Sequence, residues 1–154
     1  MQQGLTKQLC DIRDFVVRLR VQLRFGRLSR ASLRLLRLEW RGEHLECDWV
    51  ARSKDEWDQD LTTGDRDASL QALEDAMEIR ELLFCVMKDI SSATFRVYRQ
   101  LAEDPPELII AGTVLKPEPA RWTVGSLAMR AKLCGLQFSL DDGTLVALQW
   151  NQGR

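Results

Sequence analysis

The chain has 154 residues, 45% of them apolar and 29% charged, with a net charge of −1, which is the size and balance of one soluble domain with its own core. No apolar run approaches the roughly 18 residues of a membrane-spanning helix. The opening MQQGLTKQLCDIRD has no apolar region of the secretory type, so a single cytoplasmic domain over residues 1–154 is expected.

Residues Leu5 to Asp14 read as a short helix, with Leu5, Leu9, Ile12 and Val16 at helical spacing. From Val17 to Phe25 the period changes to two. Val17, Leu19, Val21, Leu23 and Phe25 alternate with Arg18, Arg20, Gln22 and Arg24. This alternation and its β-branched content favour a strand, while a helix running from 5 to 25 remains the alternative. Next, Leu36, Leu38 and Trp40 alternate with Arg37, Glu39 and Arg41, and after Gly42-Glu43 the pattern resumes in Leu45, Cys47 and Trp49. A hairpin on a type II′ turn is predicted, pairing Trp40 with Leu45, Leu38 with Cys47, Arg37 with Asp48 and Glu39 with Glu46.

Ser53 to Asp67 is polar and acidic and reads as a loop. Asp67 to Met87 reads as the main helix, with Leu70, Leu73, Met77, Phe84 and Met87 on one stripe and Arg80 intruding on it. A second hairpin joins 93–98 to 108–115, with Gly112 marking a bulge or a close backbone contact. A short helix spans about Val124 to Cys134, capped by Thr123 and ended by Gly135. A last hairpin over Leu136 to Trp150 turns on Asp142-Gly143. The expected class is therefore α+β: an antiparallel sheet built from hairpins, helices mainly on one face, order α-β-β-β-α-β-β-α-β-β. This order resembles the secretion-chaperone type of fold, a helix, three strands, a helix, two strands and a helix. The resemblance implies a small, cytoplasmic, non-catalytic and usually dimeric protein. The final hairpin and the basic N-terminal third depart from it.

Chemistry-bearing motifs are few. The single histidine, His44, sits at or beside a hairpin tip, where it reads as solvated, so a triad or a two-histidine metal site on one chain lacks parts, and a dyad of His44 with a distant Cys is the minor alternative. The four cysteines are widely spaced and read as core residues. No glycine-rich phosphate loop occurs, and the acidic 55–67 segment fails the EF-hand pattern at Thr63 and Ser69. No catalytic residue, metal or cofactor is expected.

Charge gives the sharper signal. Residues 1–42 carry 10 Lys/Arg against 3 Asp/Glu, and residues 43–154 carry 12 against 20. If 17–25 were a strand beside 36–41, Arg18, Arg20, Arg24, Arg37 and Arg41 would share one sheet face. Their partners would be Glu39, Glu46 and Asp48 in this chain, or an acidic partner protein. Trp57, alone among acids, is a further candidate anchor. The leading expectation is a non-catalytic protein-binding module, an adaptor, chaperone-like protein or accessory subunit that self-associates. The alternatives are a nucleic-acid-binding module using the arginine face and an enzyme using carboxylates such as Asp58 and Asp60.

Overall fold

The computed structural model describes residues 2–53, 61–100, 103–116 and 126–149. It is an α+β fold. Helix α1 (Gln2–Gln22) is followed by strands β1 (Arg34–Arg41) and β2 (His44–Val50), helix α2 (Leu61–Val86) and strands β3 (Ser92–Arg99) and β4 (Glu107–Leu115). Helix α3 (Leu127–Leu133) then precedes β5 (Leu136–Gln137), β6 (Ser139–Asp141) and β7 (Thr144–Val146). The main sheet has the order β1-β2-β3-β4-β5, and β6 and β7 form a separate two-stranded ribbon.

The segment 17–25 is not a strand. Helix α1 runs through to Gln22, and the backbone bond from Leu23 to Leu19 extends it by a further step. The reason lies in packing. In a helix Phe15, Leu19 and Leu23 fall on one stripe and all three are buried, with Ile12 and Val16 beside them. The other half of the alternation, Val17, Val21 and Phe25, is left exposed. Helix α1 packs antiparallel to α2, tied at one end by Lys7 to Asp89 (2.6 Å) and at the other by Arg27 to Glu74.

The first hairpin has the register expected from its alternation. Trp40 faces Leu45, Leu38 faces Cys47, Arg37 faces Asp48 and Glu39 faces Glu46, and Gly42 has φ +61 as the turn requires. A bulge between Leu35 and Arg37 sets Leu36 out of the ladder. The sheet is mixed, because β2 and β3 pair in parallel, His44 beside Ser92 and Asp48 beside Arg96. Helix α2 is the crossover between them, and a connection of that length is what a parallel pair needs. The two hairpins thus lie side by side in one sheet.

Helix α2 begins six residues before the start expected at Asp67, which therefore lies within it. Its Arg80 reaches out of the stripe and donates from Nε to the Leu115 carbonyl (3.2 Å). One face of the sheet presents Leu45, Cys47, Trp49, Ala93, Phe95, Val97, Ile110 and Val114, which form a single buried cluster with the inner faces of the helices. Gly112 is a close backbone contact. A Cβ there would run into the carbonyl oxygen of Gly135, and a Cβ on Gly135 would meet that of Thr113. Helix α3 is capped by Ser126, whose Oγ accepts from the Met129 amide (3.1 Å). Thr123 lies outside the described residues. The last hairpin turns on Asp142 (φ 51) and Gly143 (φ 81), as its sequence requires. Leu136–Gln137, however, leaves that ribbon to join the main sheet beside β4.

Candidate functional site

The face of the sheet opposite the helices is polar, and two of the predicted arginines lie there. Arg37 on β1 pairs with Glu39, with Glu46 (3.3 Å) and with Asp48 (3.8 Å). Arg41 pairs with Glu39 (2.8 Å) and Glu46 (3.5 Å), and Arg96 on β3 with Glu46 (3.1 Å) and Asp48 (3.3 Å). Three guanidinium groups thus meet three carboxylates across three strands, and the cluster is neutral as a whole. The Arg41 and Arg37 hydrogen bonds hold the Glu39 carboxyl below its ordinary value. Burial alone would raise Glu46, but the Arg96 hydrogen bond and the charges of Arg37, Arg96 and Arg41 outweigh it and hold that carboxyl low too. This is the Arg–carboxylate ladder expected from the hairpin register, completed by Arg96, which only the parallel β2–β3 pairing brings in.

His44 is not a solvated tip residue. It is the first residue of β2, with Nδ1 2.7 Å from the Ser92 hydroxyl and Nε2 2.8 Å from that of Thr94. Thr94 Oγ1 lies 3.1 Å from Thr113 Oγ1. Both ring nitrogens are therefore engaged by hydroxyls, in a chain running from β2 to β4. Among the described residues no carboxylate hydrogen-bonds to the ring, whose partners are the two hydroxyls. Among the described residues, no group of three or more His, Cys, Asp or Glu side chains is placed to hold a metal ion. No described helix is long and apolar enough to cross a membrane.

Of the remaining arginines, Arg18 and Arg20 lie on α1 and Arg24 two residues past its end, none of them on the sheet. Arg20 and Arg24 are one turn apart and lie together. Arg18, two residues before Arg20, points roughly 200° away around the helix. Arg20 and Arg24 rim a groove of about 410 Å³ between the C-terminal half of α1 and the 32–35 segment that leads into β1. Arg34, the first residue of β1, closes the rim from the other side. The floor is apolar, made of Val16, Leu19, Leu23, Leu33 and Leu35. All three arginines are exposed, and none forms an ion pair among the described residues. The only partner shown for these side chains is the Phe25 ring, 5.2 Å from the Arg24 guanidinium carbon. Of the five arginines singled out, then, Arg20 and Arg24 meet at one site with Arg34. Arg18 faces elsewhere, and Arg37 and Arg41 are neutralised. Trp57, Asp58 and Asp60 lie outside the described residues.

A buried arginine builds this groove. Arg52, which follows β2, has a side chain 0% exposed and pairs with Asp75 of α2, itself 1% exposed, at 2.8 Å. The same guanidinium donates to the carbonyls of Leu23, Arg24 (3.3 Å) and Ala31 (2.9 Å). It thereby satisfies carbonyls at the end of α1 that have no partner within the helix. Gln71 adds a second tie, accepting from the Leu28 amide (2.6 Å) and donating to Asp75 (2.9 Å). The end of α1 and the run into β1 are thus held on the same two side chains of α2. Nothing in the sequence marks Arg52 as different from the exposed arginines. Its one local signal is its place directly after an apolar strand.

In comparisons with protein-family models, with curated proteins and with solved structures, the chain matches none.

Proposed function

We propose that this protein is a non-catalytic protein-binding module whose site is the groove between α1 and the start of β1. Its ligand is a peptide segment of a partner protein that combines acidic residues with apolar ones. The observation that carries this reading is the combination of Arg20, Arg24 and Arg34, all unpaired among the described residues, with a floor of Val16, Leu19, Leu23, Leu33 and Leu35. Apolar side chains of such a segment would fill the floor while its carboxylates meet the guanidinium groups, which suit bidentate contacts. A groove of this kind gives an adaptor, chaperone-like protein or accessory subunit its hold on a partner.

The nucleic-acid alternative is weakened by geometry. It requires a continuous basic face, and Arg37 and Arg41 are spent on Glu39, Glu46 and Asp48.

The test is selection from a displayed library of random peptides, followed by fluorescence anisotropy of the enriched peptides across a salt series. Enriched sequences should combine Asp or Glu with Leu, Ile, Val or Phe. The combined variant Arg20→Glu, Arg24→Glu, Arg34→Glu should bind them at least about tenfold more weakly, a loss of about 1.4 kcal/mol. Enrichment of peptides without acidic residues, or binding indifferent to the charge reversal, overturns the reading. A mixed-sequence oligonucleotide that binds more tightly than any peptide, with a steep salt dependence, would replace it with the nucleic-acid one.

A further inference from the structure

Strand β1 is the edge of the five-stranded sheet, and among the described residues no strand pairs with its outer side. Arg41 and His44 flank the two-residue turn, so they form a hydrogen-bonded pair. By alternation the amide and carbonyl groups of Arg41, Glu39 and Arg37 point toward β2. Those of Leu38 and Trp40 point outward, where they are free to pair with another strand.

We propose that two copies of this chain pair β1 with β1 about a two-fold axis at Leu38, so that Arg37 of each copy faces Glu39 of the other. A two-fold axis makes the added strand antiparallel and the contact self-complementary. Keeping the polar faces together and the apolar faces together allows only axes that pass through a residue pair. An axis at Arg37 sets arginine against arginine. An axis at Glu39 sets glutamate against glutamate and Arg37 against Arg41. An axis at Trp40 matches Glu39 with Arg41, but it runs each strand into the Gly42-Glu43 turn of the other. An axis at Leu36 falls on the bulge.

The axis at Leu38 has none of these faults. Arg37 meets Glu39 twice, and Leu38 meets Leu38 through the outward-pointing backbone groups. Leu36, 49% exposed at the bulge, comes beside Trp40 of the second copy. The ion-pair ladder Arg37–Glu39–Arg41 of each copy then continues across the dyad with no like charges directly opposite one another.

The helices agree with this placement. Residues Gly4 to Gln8 of α1 lie by Trp40 and Gly42, and Val16 to Arg24 lie by Ser32 to Leu35. Helix α1 therefore runs antiparallel to β1, along the edge strand. Pairing the edges sets the two α1 helices on one face of the joined sheet, on either side of the axis. Leu9, 60% exposed, shares the stripe of Val16 and Arg20 that borders this side. The groove shares Arg34 and Leu35 with the start of β1, but the pairing is made through the backbone around Leu38, so a chain that binds no peptide would still pair.

Sedimentation of the unaltered protein tests the association, and disulfide trapping tests the register. The mass should rise from 17.7 kDa toward twice that value over roughly 1–100 μM, the range of a small interface. For trapping, Cys10, Cys85 and Cys134 are replaced by serine, leaving only the buried Cys47. A mixture of the Arg37→Cys and Glu39→Cys chains should then give a disulfide-linked dimer under mild oxidation. Facing Cα atoms in such a pair lie about 4.5 Å apart. Each chain alone, whose like positions are diagonal at about 7–8 Å, should give several-fold less. A protein that stays monomeric at the top of the range overturns the proposal. So does a dimer that traps 37 to 37 or 39 to 39 preferentially, or one that traps neither.

Discussion

Replacing Arg52 with methionine should cost more stability than any other substitution of an arginine in this chain. The Arg52 side chain is fully buried, and its guanidinium makes four hydrogen bonds, to one carboxylate and three main-chain carbonyls. Methionine keeps much of the volume and removes every donor, leaving the Asp75 carboxylate buried with only Gln71 for company. Breaking a buried pair by removing one partner costs about 3–5 kcal/mol, a large share of the roughly 5–15 kcal/mol that holds a domain together. In a chain of this size that lowers the melting temperature by roughly 6–20 °C. Asp75→Asn should cost less, about 1–3 kcal/mol, because Arg52 keeps its three carbonyls. Urea unfolding of Arg52→Met, of Asp75→Leu and of Arg52→Met/Asp75→Leu gives a double-mutant cycle, and the double variant should lose less stability than the sum of those two singles.

The pH dependence adds a second check on the same pair. Burial raises the Asp75 carboxyl above its ordinary value, although the Arg52 hydrogen bond and charge oppose it. Without Arg52 the folded-state value rises further, so the folded chain holds a proton that the unfolded chain releases. The variant therefore gains stability relative to wild type as pH falls from neutrality toward the carboxylate range. A loss for Arg52→Met under about 1 kcal/mol, or a deficit that does not narrow on acidification, would show that the guanidinium is not what holds α1 and β1 to α2.

Four further outcomes are expected from the same contacts. Gly112→Ala should cost roughly 2–4 kcal/mol by urea unfolding, because its φ of +155 and the facing Gly135 carbonyl leave no room for a methyl group. Stability should fall with pH below about 4.5, the ordinary carboxyl value of glutamate, as Glu39 and Glu46 take up protons first in the unfolded chain; both are depressed in the folded one. Arg96→Met should shallow that fall by removing the hydrogen bond that helps keep Glu46 low, read as the change in urea midpoint between neutral and acid pH. A thiol reagent should modify Cys10 and Cys85 at once in the native protein and leave Cys47 untouched until it unfolds, since burial drives that thiol's pKa upward.

How much of this was legible in the sequence depended on the range of the contacts that decide each element. Hairpins are settled locally. The Gly42-Glu43 turn and the apolar alternation on either side fixed the β1–β2 register, and Asp142-Gly143 did the same for β6–β7. The ladder of Arg37 and Arg41 with Glu39, Glu46 and Asp48 followed from that register alone. Parallel pairing is not a local matter. Nothing near His44 reveals that β3 will lie beside β2, so the bonds of His44 to Ser92 and Thr94, and the arrival of Arg96, could not be read.

The segment 17–25 shows how a real pattern misleads. Leu19 and Leu23 belong to both the strand and the helix reading, and only the burial of Phe15 against α2 and the sheet decides between them. Val17 and Val21, which completed the alternation, are 52% and 72% exposed and stabilise neither the helix nor the core. Isolated valines on a surface need no explanation, but their company does bear on the charge asymmetry. Of the ten basic residues in 1–42, Lys7, Arg27, Arg37 and Arg41 find carboxylates within the chain. The six others, Arg13, Arg18, Arg20, Arg24, Arg30 and Arg34, are exposed and form no ion pair among the described residues. Mutual neutralisation of the two halves therefore accounts for the hairpin and the two helix ties, Lys7 of α1 among them, but for none of the arginines of α1 among the described residues. The surplus positive charge lies on α1 and the run from its end into β1, and three of its arginines, Arg20, Arg24 and Arg34, rim a groove with an apolar floor. An asymmetry that was ambiguous as a count becomes, once placed, a local demand for an anionic and partly apolar partner.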